Sequence, residues 1–105
     1  MNKDELYIEV GKIIELIQKF ENEFKLLTIK YNIEKSDDKR SLSNMSSFLL
    51  RNSIVNEKEY LIIKKVIEER NYIIHKLFIS ENIQDYRLND IKETINNALD
   101  IFKSK

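Results

Sequence analysis

The run Glu69-Arg70-Asn71-Tyr72-Ile73-Ile74-His75-Lys76 holds the only histidine of the chain, five residues after an arginine and four after an asparagine. One Arg, one small amide and one His at this spacing are the parts needed to cleave RNA without a metal. An imidazole titrates close to cellular pH, so it can take a proton from a ribose 2′-hydroxyl or return one to a leaving oxygen. A guanidinium grips phosphate with a planar fork of donors. The matching reaction is attack of the 2′-hydroxyl on the adjacent phosphate, giving a 2′,3′-cyclic phosphate and a 5′-hydroxyl end. In it His75 is acid or base, Arg70 is the phosphate clamp, and Asn71 orients His75 or bonds the phosphate. Lys64, Tyr72 and Lys76 are candidates for further RNA contacts, by charge or by stacking on a base.

The same residues have plainer readings. A single histidine on the polar side of a helix is commonly a solvated surface residue, and lysines there are commonly solvated charges. An arginine on an apolar stripe can be the rim of a helix contact, and tyrosines at helical spacing, Tyr72 and Tyr86 here, can be packing residues. The chain also carries a look-alike. Arg51-Asn52-Ser53-Ile54-Val55-Asn56 repeats the Arg-Asn start with Asn56 where the histidine would be. Arg-Asn pairs therefore arise in this sequence without proton-transfer chemistry.

What must position these residues is helical. The chain has 105 residues with 42% hydrophobic and 34% charged, one Gly and no Pro. Nothing in it breaks helices, and almost nothing supplies the tight turns of a β-protein. One domain over 1–105 is expected, small enough that a second subunit would add much to its core. Zero cysteine removes disulfides and thiolate metal sites, and one histidine without clustered carboxylates gives no metal site to expect. No cofactor is expected either. The charged start Met1-Asn2-Lys3-Asp4-Glu5 is unlike a secretory signal, and no apolar run reaches the length of a membrane span. A soluble, cytoplasmic protein is the expectation. Lys plus Arg and Asp plus Glu are 18 each, so whole-molecule charge does not favour a broad nonspecific RNA footprint, and any RNA contact must be local.

Leu6, Val10, Ile13, Ile14, Ile17, Phe24 and Leu27 recur at spacings of three and four, which predicts a long amphipathic helix over about 4–31. Residues 32–40 have no apolar periodicity and read as a loop. Ser41 and Ser43 are candidate N-caps of a shorter helix whose apolar positions are Leu42, Met45, Phe48 and Leu49. Asn56 with Glu59 forms a capping-box variant opening the next helix, which carries Tyr60, Ile63, Val66, Ile67, Ile74, Leu77 and Phe78. Residues 80–86 read as a polar connection. A last helix over about 89–102 turns Leu88, Ile91, Ile95, Ala98, Leu99 and Phe102 inward. Gly11, inside the first helix, suggests a place where another helix comes close, with no chemistry attached. Four helices and modest loops predict an all-α, antiparallel, up-and-down four-helix bundle.

On a helical wheel Arg70 falls at the centre of its own apolar stripe, among Ile63, Val66, Ile67, Ile73, Ile74 and Leu77. A buried, unpaired guanidinium costs several kcal/mol, so Arg70 must reach an edge, pair with a carboxylate, or line a cleft that takes an anion. His75 lies about 140° further round, on a polar strip with Lys64, Glu68 and Asn71. On an ideal helix Arg70 and His75 do not share a face. The long Arg side chain, a helix distortion or a second subunit must close the gap.

The Arg70, Asn71 and His75 pattern resembles the HEPN superfamily, the higher eukaryotes and prokaryotes nucleotide-binding domains. Their hallmark is Arg, a polar residue that is commonly Asn, Asp or His, and a His five to seven positions after the Arg, late in an all-α bundle. This chain fits the shortest spacing, and the specific part of the likeness is residues 69–78. The resemblance implies a metal-independent endoribonuclease built as a homodimer, with motifs from two subunits forming one cleft. It also implies a toxin-antitoxin, abortive-infection or other defence setting, with an antitoxin or regulatory protein as a further partner. Where one subfamily has a tyrosine two residues after the histidine, this chain has Leu77, so the likeness does not extend to that subfamily's modifying antitoxin. Relatives that lost the motif serve as structural modules, which makes a noncatalytic dimerisation, adaptor or antitoxin module the alternative.

Overall fold

The computed structural model describes residues 2–32, 41–75 and 85–105. These form four helices: α1 (Lys3–Lys30), α2 (Leu42–Arg51), α3 (Glu57–His75) and α4 (Asp85–Lys103). No strand occurs among the described residues. The expected loop lies almost wholly in 33–40, outside the described residues, as do Lys76, Leu77 and Phe78.

Each helix start has a local cause. The Asn2 side chain accepts the Glu5 backbone N–H at 2.8 Å and so sets the first turn of α1. Ser41 caps α2 by accepting the Asn44 N–H at 3.0 Å, and Ser43 stands within the helix. Asn56 and Glu59 make the reciprocal pair expected of them: Glu59 N–H donates to Asn56 Oδ1 at 2.8 Å, and Asn56 N–H donates to Glu59 Oε1 at 3.0 Å. The α2–α3 turn places Ser53 at φ 57°, a left-handed conformation that a chain with one glycine must give to another residue. α4 begins at Asp85, four residues before its expected start, inside the segment read as a polar connection. Its first turn, Asp85-Tyr86-Arg87, carries no apolar period for a sequence pattern to register.

The core joins all four helices. Val10, Ile13, Ile17, Phe20, Phe24 and Leu27 of α1 meet Leu49 of α2, Ile63, Val66, Ile67 and Ile73 of α3, and the six inward positions expected of α4. Phe20 belongs to the α1 stripe although the expected set above omits it; its ring stacks on Phe102 at 5.3 Å, and Phe24 meets the same ring edge-on. Gly11 has nothing within 4 Å of the place a Cβ would occupy, so it faces open space and not a neighbouring helix.

α4 lies between α1 and α3, and α2 packs on α3. Contacts at the helix ends fix their directions. Glu9 pairs with Lys92 in the first half of both α1 and α4, while Lys30 and Tyr31 at the end of α1 both donate to the Lys105 carbonyl just after α4. α1 and α4 therefore run the same way. α3 runs against them, because Glu59 at its start pairs with Lys105, and Arg70 later on pairs with Glu21 back along α1. The sense of α1 against α4 thus departs from the expected up-and-down order. Apolar periodicity records which face a helix buries and carries no information about its direction.

Candidate functional site

α3 carries Arg70, Asn71 and His75 on its last turns, and the helix places them as the wheel requires. Arg70 emerges between the buried Ile67 and Ile73, whereas Lys64, Glu68, Asn71 and His75 are all exposed on one strip. Tyr72 is half-buried and packs against the core, which is the plainer of its two readings. The candidate contact Lys76 lies outside the described residues.

Of the three alternatives open to Arg70, the structure shows the carboxylate pair. The Arg70 Nε donates to Glu21 Oε1 of α1, and Arg70 also lines clefts. Its side chain is 31% exposed and that of Glu21 38%, so water reaches the pair and its net contribution to stability is modest. At the other end of the guanidinium Nη1 donates to Asn71 Oδ1 at 3.2 Å. That bond turns the arginine away from the apolar stripe toward the strip bearing Asn71 and His75. Arg70 and Asn71 are thereby one hydrogen-bonded unit; no hydrogen bond among the described residues brings His75 to either of them.

Two grooves flank Arg70. One, of about 280 Å³, runs between α1 and α3 over Ile14, Ile17, Gln18, Glu21, Ile73 and Ile74. The second, of about 290 Å³, lies between the start of α2 and α3 and is lined by Ser41, Leu42, Ser43, Ile67, Arg70 and Asn71. The first is mainly aliphatic. The second gathers a guanidinium, an amide and two serines, the donor types that bind a phosphate oxygen. Among the described residues no three His, Cys, Asp or Glu side chains stand together as a metal site. No described helix is long and apolar enough to cross a membrane.

Glu21 is the member of this constellation that sequence reasoning missed. It lies 49 residues from Arg70 and borders the α1 stripe, so only the packing of α1 beside α3 reveals it. The look-alike arginine ends differently. Arg51 closes α2, and Asn52 there caps the helix, its side-chain amide donating to the Phe48 carbonyl at 2.9 Å. No family model matches the chain, and neither a curated protein nor a solved structure does.

Proposed function

We propose that this protein is a metal-independent endoribonuclease of the HEPN type, working in the cytoplasm as a homodimer in a toxin or phage-defence system. The observation that carries the reading is the Arg70–Asn71 unit at the wall of the groove between α2 and α3, with Asn71 and His75 exposed one turn apart on the same strip. RNA lies with a phosphate against Arg70, and Asn71 completes the contact. His75 moves the proton, taking it from the 2′-hydroxyl or giving it to the 5′-oxygen. Each well-placed proton-transfer group is worth about 10²-fold or more in rate. One histidine cannot serve both oxygens at once. A second copy supplies the other, so that His75 of one protomer acts as base and that of its partner as acid.

A second reading has its own support. Arg70 already holds a carboxylate partner, Glu21, which suits an arginine that joins α1 to α3 in a noncatalytic dimerisation, adaptor or antitoxin module. Incubation of the purified protein with structured RNA in EDTA separates the two. Cleavage that leaves 2′,3′-cyclic phosphate ends and is lost in His75→Ala supports the nuclease; RNA that stays intact supports the module.

A further inference from the structure

The two contacts of Arg70 use different parts of its fork. Nε faces Glu21, and one Nη1 hydrogen faces Asn71 Oδ1. A guanidinium has five N–H donors, and among the described residues these two contacts engage two of them. The Nη1–Nη2 end, one of the edges on which the fork takes a phosphate or carboxylate bidentately, is a different edge from the one at Nε. Glu21 thus occupies the arginine without covering that edge. The pairing that suits a structural arginine and the geometry that suits a phosphate clamp coexist in one side chain.

We infer that Glu21 is a positioning residue for Arg70, holding the guanidinium by Nε so that its Nη1–Nη2 edge is the one presented to an RNA phosphate. The inference rests on the reading of Arg70 as a phosphate clamp. Arginine is long and flexible, and Arg70 stands on a stripe whose other members are aliphatic, so the carboxylate on α1, across the groove, holds one side of the guanidinium while Asn71 holds the other. The same carboxylate offsets the guanidinium charge and weakens its indiscriminate attraction for RNA. Glu21 therefore acts in opposite directions on binding and on turnover.

Steady-state cleavage by Glu21→Ala and Glu21→Gln, below the melting temperature of each variant, tests this. In Glu21→Ala an Arg70 held on one side only and uncompensated binds RNA more tightly but misaligned, so KM falls and kcat drops by about 10²-fold, the usual cost of small misplacement. Glu21→Gln keeps an acceptor for Nε without the charge, so it recovers about tenfold or more of the lost kcat while KM stays low. Unchanged kcat and KM in both variants, with only a lower melting temperature, would mean a structural pair and overturn the inference. A kcat that rises in Glu21→Ala would mean an inhibitory lock and overturn it equally. A parent protein that cleaves no RNA defeats the nuclease reading and this inference together, whereas active parent protein with either overturning pattern defeats the inference alone.

Discussion

At the scale of the residue, Arg70 and His75 should each be dispensable for folding and required for cleavage. Arg70→Met keeps the aliphatic stem on an apolar stripe and leaves Glu21 exposed enough to be hydrated, so stability should change by no more than about 1 kcal/mol in either direction. Cleavage should fall by orders of magnitude, and Arg70→Lys should recover little of it, because an ammonium has no planar fork. Calorimetry and a gel assay of RNA cleavage check both halves; a stable Arg70→Met protein with parental activity would remove Arg70 from the site. His75 is exposed at the end of α3, so His75→Ala should alter stability by less than about 0.5 kcal/mol while abolishing cleavage and any growth toxicity. Asn56→Ala is the control. It should cost about 1 kcal/mol through loss of the cap and leave cleavage intact. The contact between Arg70 and Asn71 lies within one helix, between neighbours in sequence, and so within reach of spacing. The contact with Glu21, 49 residues away on α1, is outside that reach.

The helices show which local signals carry structure. Asn56 and Glu59 announced the start of α3 three residues apart, because a capping box is a contact between neighbours in sequence. The apolar period announced the faces of α1 and α4 and most of α3, where Ile73 is buried and Ile74 exposed, and it missed the first turn of α4, where the sequence is polar. Gly11 was misread because a glycine in a helix signals either a close approach or nothing, and only space around it decides. Since that space is open, Gly11→Ala should raise stability by about 0.5–1 kcal/mol through helix propensity alone, seen as a higher melting temperature with unchanged helicity. Glu59 gives a prediction with a pH sign. The Asn56 N–H, and after it Lys105, hold its carboxyl below the usual carboxylate range, against the opposing effect of burial. The folded state therefore favours the charged form, so this contribution is present above the ordinary value of 4.5 and is lost as pH falls through the lowered one. Glu59→Gln should melt below the parent at pH 7, and the gap should close as the pH is taken below the carboxylate range.

For the whole molecule, the proposed chemistry needs two histidines and the chain has one, so activity and assembly should rise and fall together. Light scattering at micromolar concentration should report a dimer, and specific activity should drop on dilution through its dissociation. Ile74, 39% exposed beside Arg70 and Ile14, should lie in that interface, and Ile74→Glu should yield a folded, inactive monomer. A parent protein that is monomeric and fully active would break the link. The shared direction of α1 and α4 has an electrostatic consequence. Adjacent parallel helices align their macrodipoles unfavourably and bring two negative C-terminal ends to one pole of the molecule. α3, running the other way, presents its positive N-terminal end there with Glu57 and Glu59 in its first turn. Lys30, Lys103 and Lys105 stand at the same pole. A chain with no net charge thus keeps a locally ordered field, in which Lys30 and Lys103, in the last turns of α1 and α4, each offset about 0.3–1 kcal/mol of dipole energy that added salt would screen.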